Sequence, residues 1–241
     1  MHPRGACRYN TAMQLYLFSG GGAAILSTMA QRCAAAVAGV TQPVIAYIPA
    51  ASVQPPAYWL DLWTAAFAAV GSLRLIDLDT SDATGFAADL AGCAAVLVPG
   101  GNTYLPARRM HRLPQTIPTL VAAVRGGLPL ITRSAGTVFS GPNMLTTNDW
   151  NVFGTTQFSG LGLSPYNFNV HFTLPPPDEA ESRDFRIREY VAVNGNPVLA
   201  LEERCNLAWT DGEVQVHDGR AWRYTPDGDR QLLPPGSRFT V

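Results

Sequence analysis

Between residues 13 and about 140, short apolar runs rich in β-branched residues alternate with alanine-rich stretches of helical length. That alternation builds a parallel sheet covered by helices. It predicts strands over 15–18, 44–48, 73–78, 94–98 and 128–132, and helices over 24–38, 58–70, 86–91 and 117–124. Several of these strands run into Gly, Pro or small polar residues: Ser19-Gly20-Gly21-Gly22, Pro99-Gly100-Gly101-Asn102-Thr103 and Arg133-Ser134-Ala135-Gly136. In open α/β sheets such carboxyl ends are where ligands sit. Beyond residue 141 the pattern loosens into Asn, Gly, Phe and Pro. A charged helix over 182–191 and a strand over 198–201 follow. Runs at 213–217 and 220–224 flank Asp218-Gly219, a tight-turn pair that predicts a closing C-terminal β-hairpin. The expected architecture is therefore α/β, a mostly parallel sheet flanked by helices. With no linker and no internal repeat, residues 13–241 read as one domain behind an extension over 1–12.

Composition narrows the function classes. With 17 basic and 18 acidic side chains the net charge is -1, so no long-range field draws in nucleic acid or anionic lipid. Charged residues make up 15% against a usual ~25%, which leaves apolar surface available for a homodimer contact. Four separated cysteines, Cys7, Cys33, Cys93 and Cys205, show neither metal-ligand spacing nor a disulfide framework, which fits a reducing cytoplasm. No run of 18 uncharged apolar residues exists to span a membrane.

The abrupt end of the 128–132 run at Ser134, with Ala135 and Gly136 beyond, matches a nucleophile elbow, a sharp strand-to-helix turn that lifts a hydroxyl clear of the sheet. Thr132 stands where the first Gly of GxSxG would be, and a helix N-cap serine is the competing reading. A hydroxyl nucleophile needs a base, and there are four histidines. His2 lies in the extension, His111 among Arg108, Arg109 and Arg112 on what reads as a solvated basic face, and His217 beside the closing turn. His171, in an apolar stretch entering a Pro-rich loop, remains. Asp149, Glu202 and Glu203 are all credible partners for its second nitrogen, and sequence physics does not rank them. Gly100-Gly101-Asn102-Thr103 offers unobstructed amides for an oxyanion. The Lys-Ser/Thr of a phosphate loop and any GxGxxG are missing, which disfavours nucleotide binding.

Taken in order, PGGNT, RSAG, TTND, NVHFT, an RxxRIRE helix and a strand ending in LEE resemble the S51 serine peptidases, the family of α-aspartyl dipeptidases of the peptidase E type, with cyanophycinases as more distant members. The resemblance covers roughly 13–239. It implies a fold like the class I glutamine amidotransferases, with serine replacing the elbow cysteine, and a serine dipeptidase acting on Asp-X peptides without metal or cofactor. Carried over by position, it implies Ser134 as nucleophile, His171 as base and Glu203 as orienting acid. Gly101 and Ala135 become the oxyanion amides, and Arg183, Asn102 and Asp149 substrate-site residues, with Asp149 shaping the site. Helical spacing independently puts Arg183 on one face with Ile187, Tyr190 and Val191. Two departures stand out: Arg133 before the serine, and Leu174-Pro175-Pro176-Pro177 after the histidine stretch. They leave room for other substrates, such as longer peptides, β-aspartyl linkages or esters, and a non-catalytic binding protein on the same fold is the alternative from another class.

Overall fold

The computed structural model describes residues 12–174 and 182–241. The first half runs β1 (Gln14–Phe18), α1 (Ala24–Ala36), β2 (Val44–Tyr47), α2 (Leu60–Phe67), β3 (Ser72–Leu75), α3 (Ala83–Leu90), β4 (Ala95–Val98), α4 (Tyr104–Arg112), α5 (Thr116–Arg125), β5 (Leu130–Arg133) and α6 (Ala135–Phe139). The second half runs β6 (Asn167–Phe172), α7 (Arg183–Asn194), β7 (Val198–Glu202), β8 (Asn206–Thr210), β9 (Glu213–Asp218), β10 (Ala221–Tyr224), β11 (Arg230–Leu233) and β12 (Arg238–Thr240).

Two sheets result. The larger has strand order β12-β9-β8-β1-β5-β4-β2-β3, in which β1 to β5 are mutually parallel and β8 joins β1 antiparallel. The smaller has order β11-β10-β7-β6, with α7 as the crossover between the parallel strands β6 and β7. Strands β4 and β5 sit mid-sheet and are buried along nearly their whole length, which is why they read as continuous apolar runs.

The period of two along the strands divides the core. Leu17, Val96 and Leu130 face α3 to α6 through Phe86, Met110, Leu120 and Val138. Phe18, Leu97 and Ile131 face α1 and α2 through Met29, Trp63 and Phe67. Helix α7 packs Ile187, Tyr190 and Val191 onto the small sheet, the face its sequence spacing predicts. Ser182 caps its start by accepting from the Phe185 amide at 3.2 Å, and Gly195 at φ +69° ends it in the left-handed conformation that glycine tolerates. Among the described residues no helix is long and apolar enough to cross a membrane.

The C-terminal strands differ from expectation in their partners. The runs at 213–217 and 220–224 are strands β9 and β10, but they do not pair with each other: β9 joins the large sheet and β10 the small one. Hairpins do close this part of the chain, β8 with β9 and β10 with β11. Gly219, at φ +67°, passes the chain between the sheets so close to Cys205 that a Cβ would lie 2.6 Å from its Cα. Helix α4 escaped the sequence reading because its arginines and Pro106 obscure the pattern. Pro106 falls in the first turn, where a missing amide hydrogen leaves no intrahelical bond unmade. Residues 1–11 of the expected extension, and the proline loop at 175–177, lie outside the described residues.

Candidate active site

Strands β1, β5 and β4 end side by side, Phe18 opposite Arg133 and Val98 opposite Thr132, so the loops after all three meet at one point. Ser134 occupies the turn from β5 into α6 at φ +51°, ψ −113°, a conformation that costs a non-glycine residue about 1–3 kcal/mol and persists only where its surroundings over-determine it. Its amide points toward the carbonyls of both Phe18 and Ser19 at 2.9 Å. Small neighbours make room: a Cβ on Gly100 would lie 3.0 Å from the Ser134 Cβ, and one on Gly136 only 2.5 Å from the Val98 carbonyl oxygen. Thr132, the departure from GxSxG, is accommodated in a buried chain in which its hydroxyl meets Thr137 at 2.8 Å and Thr137 donates to the Phe18 carbonyl at 2.7 Å. The Ser134 hydroxyl does not cap α6, so the N-cap alternative falls.

Instead, that hydroxyl lies 2.8 Å from His171 Nε2. His171 has φ +54° and sits where the β6–β7 register shifts between Asn169 and Phe172. Such a bulge re-aims a side chain. Its amide donates to Ser19 Oγ at 2.8 Å, and Ser19 in turn donates to the Leu201 carbonyl at 3.1 Å, tying both sheets beneath the imidazole. His171 Nδ1 lies 2.5 Å from Glu203 Oε2, so an Nδ1–H tautomer donates to the carboxylate and leaves Nε2 to accept from the serine. The dyad is partly open to solvent, with side-chain exposures of 40% for His171 and 51% for Glu203.

The end of β7 separates the two glutamates, Glu202 being the last residue of the strand and Glu203 the first of the turn that follows. Glu202 turns the other way, accepting from Arg220 Nε at 2.8 Å and Trp222 Nε1 at 2.9 Å. The sequence reading missed Ser19 and Gly20. A Cβ on Gly20 would lie 2.3 Å from His171 Cε1 and 2.5 Å from Glu203 Oε1. The signal was the Ser-Gly run after the first strand, but nothing in it names the histidine that it supports.

The loop after β4 is held from behind. Asp149 Oδ2 accepts from the Thr103 amide at 2.7 Å and the Thr103 hydroxyl at 2.6 Å, so its carboxylate braces the loop and lies apart from the His171 dyad. Asn102 is engaged locally, donating to the Trp150 carbonyl at 3.1 Å and accepting from the Tyr104 amide at 3.0 Å. Gly101, at φ +151°, lies so close to residue 51 that a Cβ would be 2.0 Å from the Ala51 carbonyl oxygen. Among the described residues its amide has no acceptor, and the Ala135 amide is free as the first of α6. Arg109 clamps the adjoining loop through the carbonyls of Ala50 and Ser52 at 2.7 and 2.8 Å. The arginines of α4 are therefore staples more than a solvated face, and His111 likewise meets the Ser159 carbonyl at 3.1 Å. His217 is half-buried, and burial draws its pKa below the ordinary histidine value.

Because Thr103 is buried, Asp149→Ala is expected to lower stability by about 1–3 kcal/mol through its orphaned donors. Urea unfolding measures this.

Arg183, at the start of α7, is half-buried and makes no hydrogen bond or ion pair among the described residues. Burial lowers its pKa, partly offset by the Glu203 carboxylate. The sequence also allows Arg183 to pair with Glu181 or Asp184 in solvent; Asp184 is taken by Arg188, Arg230 and Tyr224, and Glu181 lies outside the described residues.

The family model for peptidase family S51 matches residues 15–217. A Drosophila melanogaster protein named "Probable alpha-aspartyl dipeptidase" is 34% identical over 151 residues, 61% of this chain and 62% of that protein. A Streptomyces coelicolor protein named "Peptidase E" is 40% identical over 112 residues, 45% of this chain and 46% of that one. The chain thus spans less than two thirds of the length of these relatives. The crystal structure of a peptidase from an acI-B1 Actinobacterium superposes with a TM-score of 0.71 at 16% identity, covering 95% of this chain and 96% of that one, a likeness of fold.

Proposed function

The chain belongs to peptidase family S51, and on that premise we propose that it is a serine-type dipeptidase of the cytoplasm that hydrolyses peptides with an N-terminal aspartate. The carrying observation is the Ser134 hydroxyl at 2.8 Å from His171 Nε2, with Glu203 on the far nitrogen of the same ring. Ser134 Oγ attacks the scissile carbonyl carbon while His171 Nε2 takes the hydroxyl proton, and the developing oxyanion accepts from the Gly101 and Ala135 amides. Collapse breaks the C–N bond, and the proton on Nε2 leaves with the amine. Water then repeats the sequence on the acyl-enzyme, with His171 again as base and then acid. Glu203 holds the ring in the Nδ1–H tautomer and stabilises the imidazolium. Buried thiols at Cys33 and Cys205 suit a reducing compartment.

Selectivity for aspartate is assigned to Arg183. A guanidinium with no partner among the described residues, near the dyad, complements a substrate carboxylate. Arg183→Ala is expected to lower kcat/KM on Asp-Leu by about 30-fold or more while changing Ala-Leu little, since removing one member of a charged hydrogen-bonded pair costs about 2–5 kcal/mol. Profiling Asp-Leu, Ala-Leu and isoaspartyl-leucine on the protein and this variant tests the reading. Equal rates on Asp-Leu and Ala-Leu, or a preference for the isoaspartyl peptide, overturn it.

A further inference from the structure

Beside the oxyanion loop lies a cavity of about 550 Å³ whose walls include Tyr47, Trp59, Leu62, Trp63, Gly101 and Arg133. Among the described residues, Arg133 is the only charged one lining it. Its Nε is buried without a partner, and no hydrogen bond or ion pair engages its guanidinium among the described residues. Tyr47 is fully buried, and among the described residues its hydroxyl has no partner either. Burial raises the Tyr47 pKa and lowers that of Arg133, the latter offset in part by Glu203, so at neutral pH the phenol keeps its proton and the guanidinium its charge. Around the mouth, Val53, Trp59 and Leu62 are exposed at 69%, 43% and 46%. The Tyr47 hydroxyl and Arg133 Nε are closed off from the open space, so the cavity offers the remainder of the guanidinium as its one cation, in walls that are mainly apolar with Ser52, Gln54 and Asn102 among them, which describes a receptor for an amphipathic anion.

We propose that this cavity receives the leaving residue of the substrate, an apolar and preferably aromatic amino acid whose free α-carboxylate pairs with Arg133. The inference rests on the dipeptidase reading of the same site. An Asp-X dipeptide carries two carboxylates on opposite sides of its peptide bond, and the site presents two arginines that no acid pairs among the described residues, both within the influence of Glu203. With Arg183 taking the aspartate side chain, Arg133 is left for the other end. The leaving nitrogen must lie near His171 Nε2, which protonates it. The cavity wall includes Arg133, which precedes the serine, Gly101 of the oxyanion loop and Gly22, two residues beyond the Gly20 that lies beneath the imidazole. Carboxylate and side chain branch from the same Cα, so one pocket with a cation on one wall and indoles on another accommodates both. Arg133 thereby also sets length, because a longer peptide would place an uncharged amide against it.

Two measurements on the full chain decide the proposal. The first compares kcat/KM for Asp-Phe and Asp-Phe-amide. Expected is a preference of about tenfold or more for the free acid, since a site built to pair a charge rejects the analogue lacking it, and a ratio near one in Arg133→Leu. The second titrates L-phenylalanine and L-phenylalaninamide by calorimetry. Expected is selective binding of the free acid, lost in Arg133→Leu, and weakened more for phenylalanine than for alanine in Trp59→Ala, an exposed position that leaves the core intact. A protein that does not distinguish the free acid from the amide in either assay overturns the proposal, and so does an Arg133→Leu variant that retains the distinction. The comparison of acid and amide uses the unaltered chain and stands even if the variant fails to fold. Failure of the underlying reading looks different: Asp-p-nitroanilide is not cleaved, yet phenylalanine still binds selectively over its amide.

Discussion

Ser134→Ala is expected to lower kcat/KM on Asp-X peptides by about 10⁴-fold or more, the loss seen when a serine nucleophile is removed from a cooperating triad. Stability should remain within about 0.5 kcal/mol, the usual range for a substitution that disturbs no packing. The two effects separate because the hydroxyl's hydrogen bond is to His171, while the turn is held by the amide of residue 134, by Gly100 and by Gly136. The unusual φ of residue 134 persists in the variant for the same reason. Steady-state rates with matched thermal melts are the check, and a fluorophosphonate probe that labels the wild type should fail to label the variant. A Ser134→Ala variant with undiminished hydrolysis would remove the hydroxyl from the reaction.

The adjacent glutamates should respond in opposite ways. Glu203→Gln is expected to lower kcat by about 10²–10³-fold, short of the ~10⁴ reported for a buried triad acid, because at 51% exposure water can partly replace the carboxylate beside His171. Its effect on stability should be small. Glu202→Gln should leave kcat within a few-fold but reduce stability by about 0.5–1.5 kcal/mol, since this carboxylate is 17% exposed and holds both Arg220 and Trp222. Rates and urea midpoints measured on both variants expose any exchange of roles. A larger loss of kcat in Glu202→Gln would reverse the assignment.

The parallel half of the fold is legible from the chain alone because each central strand is buried on both faces and each helix on one. Apolar runs of strand length and alanine-rich stretches of helical length therefore keep their own signatures at β1 to β5. The Gly and Ser residues that close the strands are equally visible, since the elbow at Ser134 and the approach at Gly101 tolerate little else. Strands β8, β11 and β12 were not visible. β11 and β12 are short and carry exposed polar positions, and β8, though largely buried, opens and closes on polar residues that blur its apolar run. The Asp218-Gly219 pair announced a turn correctly, yet the strands on either side enter different sheets, because a turn sequence determines the bend and not the partner.

The same division runs through the site. Which serine is placed on a strand-to-helix turn is a local property, written in four consecutive residues. Which histidine and which carboxylate face it is not. His171 is aimed through its own left-handed backbone at a shift in strand register and by the Ser19 hydroxyl 152 residues away, and Glu203 is selected over Glu202 because Glu202, the last residue of β7, is held by Arg220 and Trp222 while the turn that follows carries Glu203 to the imidazole. Local sequence carries backbone preference and hydrophobic period. Orientation, isolation of charge and the shape of the Arg133 cavity arise only when distant segments exclude water together, because a hydrogen-bond partner or its absence is a property of the surroundings.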